Sequence, residues 1–156
     1  LCICLVIAVQ TGYDLRLAVT DEIRCREDEQ KTQLLLERLA QTDGDGLPQL
    51  PVVFVGYQET ELPEWCRRTE MYGWSFYGWD YSMENPTGAT HRICGFVQAY
   101  TGNVLQEDAT EEQKKTAVEL AAQMKNFPEE GSVLVTEDCV VVRLSEVKEQ
   151  MPTDWW

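Results

Sequence analysis

The segment from Gly73 to Tyr81 carries the residue types most able to do chemistry in this chain. It reads Gly-Trp-Ser-Phe-Tyr-Gly-Trp-Asp-Tyr, so aromatic rings recur together with a carboxylate. Flat rings can stack on the apolar C–H faces of a sugar, and a carboxylate can accept hydrogen bonds from its hydroxyls. The candidate ligand-binding residues are Trp74, Tyr77, Trp79 and Asp80. The more ordinary alternative is that these rings fill the space between a sheet and its helices.

No catalytic motif accompanies this segment. The single histidine, His91, has no nucleophile or carboxylate beside it in a recognisable spacing, so a surface or capping role is favoured. Hydrolase, phosphate-loop, dinucleotide-binding and zinc-protease motifs are missing, and acidic pairs fall where helix starts and turns are expected. The sequence therefore predicts no catalytic residue, no metal site and no cofactor.

The six cysteines do not have the spacing of metal ligands. Cys66, Cys94 and Cys139 could form a disulfide if the domain lies outside the cell, but the sequence does not choose a pairing. Small buried thiols are an equally good interpretation.

The charge of the chain is strongly negative. Lys and Arg number 13 against 27 Asp and Glu, for a net charge of −14. Such a surface repels phosphate backbones, which argues against nucleic acid as a partner. Anionic lipid headgroups would repel it too, so we expect the body to stand off a membrane and to be held there by an anchor.

The anchor is indicated by residues 1–9, Leu-Cys-Ile-Cys-Leu-Val-Ile-Ala-Val, an apolar run without an initiator methionine or a charged region before it. Crossing a bilayer takes about 20 apolar residues, so this run alone is too short. We interpret it as the end of a transmembrane helix, or of a signal-peptide core, that begins further upstream. A membrane is therefore an expected partner, reached through the N-terminal helix.

Residues 1–41 are predicted to form this long helix, with residues 42–50 as a linker and 51–156 as a soluble domain. The helix carries Leu15, Val19 and Ile23 at helical spacing and ends in a leucine-rich stretch at 34–39. Between them, 24–31 is charged nearly all round, so we expect it to be solvated or lightly packed.

The remaining pattern predicts an α/β fold, a small two-layer sandwich with about three strands, a C-terminal β-hairpin and two further helices. Residues 51–56 are typical of a buried strand covered on both faces. One helix is expected from a Thr87 cap to Gly102, burying Ile93, Phe96, Val97 and Tyr100. Another follows a capping box at 110–113, and 132–144 is expected to be the hairpin. The aromatic residues concentrate in an irregular stretch, 57–86.

Four segments occur in a characteristic order: 51–56 (PVVFVG), 74–80 (WSFYGWD), 128–135 (PEEGSVLV) and 139–145 (CVVVRLS). Together they resemble the C-terminal soluble region of bacterial polytopic glucosyltransferase-domain proteins, which are similar to O-antigen glucosyltransferases. Arg143 stands where that family usually has lysine. The resemblance implies a multi-pass membrane glucosyltransferase that modifies cell-surface glycans with a lipid-linked sugar donor. Its catalytic residues would lie upstream, so none is carried over.

On this interpretation the chain is a non-catalytic extracytoplasmic C-terminal domain at the bacterial cell membrane. Its partners would be an acceptor glycan or the transmembrane core of the parent protein. Basic residues after the apolar run, such as Arg16 and Arg24, would favour the cytoplasmic side, and the outer face rests on the resemblance. The alternative is a free-standing secreted or membrane-tethered module that binds glycans or proteins. A small cytosolic enzyme is the weakest option, because it leaves the apolar start unexplained.

Overall fold

The fold was analysed in a computed structural model that describes residues 2–43, 46–66 and 73–147. Tyr72, Trp155 and Trp156, which belong to the aromatic residues of the sequence, lie outside these ranges. The elements in chain order are α1 (Cys2–Asp43), β1 (Val52–Val55), α2 (Ala89–Thr101), α3 (Glu111–Ala121), β2 (Val133–Val135) and β3 (Val140–Arg143). The expected mixed α/β class, with its long first helix and C-terminal hairpin, is confirmed.

The three strands form one mixed sheet in the order β1-β3-β2. β1 pairs with β3 in parallel, and β2 pairs with β3 as an antiparallel hairpin. Glu-Asp is an unusual pair for a hairpin turn, and the Thr136 hydroxyl stabilises it by accepting from the backbone N–H groups of Asp138 (3.3 Å) and Cys139 (3.0 Å). The backbone N–H of Thr136 closes the turn on the Cys139 carbonyl (2.9 Å).

Helices cover both faces of the sheet, as the continuous apolar run in β1 predicts. Alternate strand residues point to opposite sides. Val52, Phe54, Val140 and Val142 pack with Leu35 and Leu39 of α1 and with Ile93 and Val97 of α2. Val53, Val55 and Val141 pack on the other side with Ala117 and Ala121 of α3. The second half of α1 therefore shares one hydrophobic core with the sheet.

The exposure of the α1 side chains changes along the helix. With 42 residues at 1.5 Å per residue it is about 63 Å long. In its first half apolar side chains are exposed from Ile3 to Val19. From Thr20 onward one face is buried, and the buried positions on that face are Thr20, Asp28, Thr32, Leu35 and Leu39.

The expectation of a solvated middle for α1 is wrong. Asp28 is completely buried, and the side chains of Arg24 and Lys31 are only 11% and 14% exposed. Arg24 and Asp28 bind polar groups of residues 74–76, and Lys31 donates to the Glu59 carbonyl. The local sequence pattern could not reveal these contacts.

The ends of α2 and α3 show which predicted caps form. Gly88, and not Thr87, is the N-cap of α2, and no side chain caps that end. Tyr100 on α2 is 39% exposed, so its predicted burial is wrong as well. The C-cap at Gly102, with φ +77°, and the capping box between Thr110 and Gln113 are confirmed.

Candidate functional site

The aromatic loop, defined here as residues 73–81, is attached to α1 through Asp28. The Ser75 hydroxyl donates to Asp28 Oδ1 (2.5 Å) and the Phe76 backbone N–H donates to Oδ2 (3.1 Å). Arg24, one turn earlier, has Nη1 3.7 Å from the same carboxylate. Ser75 Oγ also accepts from the Tyr77 N–H (3.1 Å), so one buried carboxylate holds the Phe76 backbone directly and the Tyr77 backbone through the Ser75 hydroxyl.

Tyr77 lies in the core and is completely buried. Its hydroxyl is hydrogen-bonded to the Thr32 hydroxyl (2.9 Å), and Lys31 Nζ lies 5.8 Å from its ring centroid. Of the four residues proposed from the sequence, this ring is placed away from the surface and separated from the other three. It positions the loop on α1 and, in this conformation, offers no face to a ligand.

Trp79 and Asp80 lie together at the surface with Arg92 of α2. Arg92 Nε donates to Asp80 Oδ2 (2.6 Å), and its guanidinium carbon lies 5.0 Å from the centroid of the Trp79 ring. Trp79 is 37% exposed. The cluster presents an indole face, a carboxylate and a guanidinium side by side, which can stack on a ring and exchange hydrogen bonds with hydroxyl groups.

Because Gly88 has no side chain, the backbone of Asp80 can lie close to the start of α2. Asp80 has a left-handed backbone, with φ +65°, and its carbonyl oxygen would lie 1.9 Å from a Cβ atom at position 88. A side chain at position 88 would therefore displace the backbone that carries Asp80.

Four stacked rings form what we call the aromatic ribbon, namely Trp79, Phe76, Phe96 and Tyr100. Successive ring centroids are 6.2, 4.5 and 5.7 Å apart. The ribbon links the aromatic loop to α2, and its last member accepts a hydrogen bond from Gln33 Nε2 (3.3 Å) on α1. Offset stacking of this kind stabilises the loop against both helices.

Trp74 completes the exposed part of the site. Its side chain is 41% exposed, and its backbone carbonyl accepts from Arg24 Nη1 (3.3 Å). The same guanidinium lies 5.9 Å from the Phe76 ring centroid. Three of the four sequence candidates, Trp74, Trp79 and Asp80, are therefore surface residues of one loop.

The attachment through Asp28 should depend on pH. Burial raises the pKa of the Asp28 carboxyl above its ordinary value of 3.8, against the opposing effect of the Ser75 and Phe76 hydrogen bonds and the nearby cations. Between 3.8 and the higher pKa of the folded state, the folded chain binds more protons at Asp28 than the unfolded chain does. The contribution of Asp28 to stability is therefore lost as pH rises through that window.

We expect the difference in free energy of unfolding between the wild type and Asp28→Asn to shrink as pH rises from about 4 to about 7. Urea unfolding of the full chain in detergent micelles at a series of pH values measures it. Glu37→Gln, which removes an exposed carboxylate from the same helix, is the matched control for the charge change. A difference between wild type and Asp28→Asn that stays constant over this range would contradict the prediction.

A groove that no sequence motif indicated lies beside α1. Its volume is about 950 Å³, and it opens where the parallel strands β1 and β3 end, beside Tyr57, Gln58 and Ser145. Ligands of α/β folds commonly bind at the carboxyl ends of parallel strands. The wall on α1 holds Lys31, which pairs with Glu27 (2.7 Å) and donates to the Glu59 carbonyl (3.0 Å). The groove therefore lies where such folds commonly bind ligands, and Lys31 and Glu27 of its wall are engaged with each other.

His91 and the cysteines form no catalytic arrangement in the described part of the chain. His91 is a surface residue, as expected, and its Nδ1 lies 2.8 Å from Glu107 Oε2. Burial, aided by the Glu107 carboxylate, raises the pKa of the neighbouring Cys94 thiol to about 12, so this thiol is not a nucleophile at neutral pH. All six cysteines are free thiols, and no three potential metal ligands come together among the residues described.

Comparison of this chain with protein-family models, with curated proteins and with solved structures gives no match. The fold and the site define its class on their own. It is a small mixed α/β domain built on a helix that is long and apolar enough to cross a membrane.

Proposed function

We propose that this chain is the non-catalytic, extracytoplasmic domain of a multi-pass membrane glucosyltransferase that modifies cell-surface glycans with a lipid-linked sugar donor. The domain stands on the outer face of a bacterial membrane and assists the reaction by positioning the acceptor glycan or by stabilising the transmembrane core. The motif order described above supports the enzyme class.

The observation that carries the membrane part of the proposal is the division of α1. An 18-residue window of this helix has a mean hydropathy of 1.5 and is not buried at all. Core helices of soluble proteins and signal sequences can be equally apolar, but a core helix would be covered. The second half of the same unbroken helix belongs to the core of the domain, so the domain is joined rigidly to its anchor.

The surface proposed to contact the glycan is formed by Trp74, Trp79 and Asp80. The two indoles supply stacking faces, and the Asp80 carboxylate supplies a hydrogen-bond acceptor next to a guanidinium donor. The sequence predicts Tyr77 as a fourth ligand-binding residue. Its ring instead lies in the core beneath this surface, where its hydroxyl is hydrogen-bonded to Thr32.

Removing residues 20–156 from the parent protein tests this function. The cut falls where burial of α1 by the domain begins, at Thr20. Glucosylation of the surface glycan should fall strongly, while the truncated protein remains in the membrane after alkaline carbonate extraction. A truncated protein that inserts and glucosylates like the intact one would refute the proposal.

A second candidate is a free-standing secreted or membrane-tethered module that binds glycans or proteins. It is favoured by the two hydrophobic clusters that the described residues form on the two faces of the sheet. The coding sequence upstream of Leu1 discriminates between the two. Repeated spans of about 20 apolar residues support the glucosyltransferase, and a short basic region just before Leu1 supports the module.

A further inference from the structure

β2 is an edge strand, because the strand order is β1-β3-β2 and only one side of β2 is paired. Opposite residues of an antiparallel pair alternate between positions that exchange hydrogen bonds and positions that do not. The Thr136 N–H donates to the Cys139 carbonyl (2.9 Å), and the Ser132 carbonyl accepts from the Arg143 N–H (2.9 Å). The backbone groups at positions 132, 134 and 136 therefore point at β3.

Val133 and Val135 are the residues between these positions, opposite Val142 and Val140. Their N–H and C=O groups point away from β3, towards the open side of the strand. The alternation is supported by the Val140 N–H, which donates to the Pro51 carbonyl on the other side of β3 (2.8 Å). These four backbone groups, which we call the β2 edge, have no hydrogen bond within the described part of the chain.

The side chains along the β2 edge are apolar and exposed. Leu134 is 38% exposed, and Val135 is 41% exposed. An edge strand of this kind can take up a further strand, whose backbone pairs with the free groups while its alternate side chains pack on the exposed ones. The β2 edge therefore has the features of a site for strand addition.

The hairpin turn at the end of β2 is acidic. Glu137 and Asp138 line a recess of about 600 Å³ together with Glu112 of α3, and none of the described residues that line it is lysine or arginine. A cation on an added strand would meet three carboxylates there.

The other end of β2 is nearer to neutral charge. Glu129 and Glu130 are exposed there. The carbonyls at positions 128 and 131 accept from Arg38 Nη2 (3.5 Å) and from the Lys125 N–H (3.3 Å), so two basic residues accompany the two acidic ones. The charge preference of the edge is therefore set at the hairpin turn.

We propose that the β2 edge binds an extended segment of a partner protein that places lysine or arginine beside the hairpin turn. Backbone pairing holds the segment, and the carboxylates of the recess attract its cation. A second copy of the chain is a poor occupant, because residues 129–139 contain four acids and no lysine or arginine. The inference depends neither on the membrane span of α1 nor on the glycan surface.

Fluorescence anisotropy of a labelled peptide, with the full chain in micelles of an uncharged detergent, tests this inference. The probe is the synthetic peptide Lys-Lys-Val-Thr-Val-Lys-Lys, which places lysine beside the turn in either direction of pairing. The same peptide with N-methyl groups on its central amides keeps the charge but loses the backbone donors. The probe should bind several-fold more tightly than its methylated form. Equal binding of both peptides, or binding of neither, would overturn strand addition.

Val135→Pro removes one outward N–H and leaves the bonds to β3 in place, since proline is tolerated where the N–H of an edge strand faces solvent. Val135→Thr is the matched control, because it keeps the N–H and the β-branched shape. The proline variant should bind the probe about five- to tenfold more weakly than the threonine variant, through loss of one hydrogen bond. Equal affinities of the two variants would overturn the assigned backbone contact.

The charge preference is tested by Glu137→Gln combined with Asp138→Asn. This variant should bind the probe several-fold more weakly at low salt, and its affinity should depend less on salt concentration. Unchanged affinity and salt dependence would overturn the basic partner. Analytical ultracentrifugation tests the other occupant: a dimer of the full chain that Val135→Pro dissociates would assign the β2 edge to a second copy and overturn the proposed partner.

Discussion

Replacing Arg143 with methionine is expected to lower the free energy of unfolding by about 3 kcal/mol, because the carbonyl groups at the end of α3 lose a buried guanidinium donor. Arg143 is buried at the end of β3, and its Nη1 donates to the carbonyls of Ala121 (2.9 Å), Ala122 (3.4 Å) and Met124. These carbonyls lie at the end of α3 and in the turn after it, and the Ala121 carbonyl also accepts from the Met124 N–H (3.1 Å). Urea unfolding of the full chain in detergent micelles, followed by far-UV circular dichroism, measures the loss.

The matched control is the same substitution at Arg26, whose side chain is 72% exposed and paired with Glu22. Arg26→Met should cost less than about 1 kcal/mol, because exposed ion pairs contribute little. Arg143→Lys should fall between the two, since an ammonium keeps the charge but cannot reach the carbonyls with the geometry of a guanidinium. Equal losses for Arg143→Met and Arg26→Met would contradict the assigned role of Arg143.

The regular elements were predictable because short-range patterns determine them. The apolar run of β1, the capping box of α3, the glycine that ends α2 and the alternating valines of the hairpin all lie where the structure has these elements. Each of these signals involves residues close in sequence, so no tertiary contact is needed to read them.

The middle of α1 could not be predicted in this way. Asp28 is buried because Ser75 and Phe76, 47 and 48 positions later in the chain, donate to both of its oxygens. A carboxylate within a charged helical stretch normally indicates a solvated face. Only the tertiary fold supplies the donors that make its burial tolerable.

The sequence indicated which segment carries the candidate site, but not which of its side chains face solvent. The sequence located the aromatic loop, yet it could not separate Tyr77, which faces the core, from Trp74 and Trp79, which face solvent. An irregular loop has no period from which to read a side chain's direction. The groove at the carboxyl ends of β1 and β3 gave no signal, because its walls come from segments that are distant in sequence.

Gly56 is a position where a single added methyl group should have a large effect on stability. It follows β1 with φ +89°, a conformation that an L-residue adopts only at a cost. A Cβ atom there would lie 2.6 Å from Ser145 Oγ and 2.7 Å from both the backbone nitrogen and the carbonyl oxygen of Ser145. Because backbone cannot rotate out of the way, the ends of β1 and β3 would have to separate. Gly56→Ala should therefore destabilise the chain by about 3–5 kcal/mol.

Gly95→Ala is the matched control, since Gly95 lies within α2 and an added Cβ meets nothing within 4 Å. There the methyl group should stabilise the helix by about 0.5–1 kcal/mol. The two variants have the same composition, so their difference in midpoint of thermal unfolding reports position alone. Opposite shifts are the expected result. If Gly56→Ala unfolds at the same temperature as Gly95→Ala, the close contact between the ends of the parallel strands does not exist.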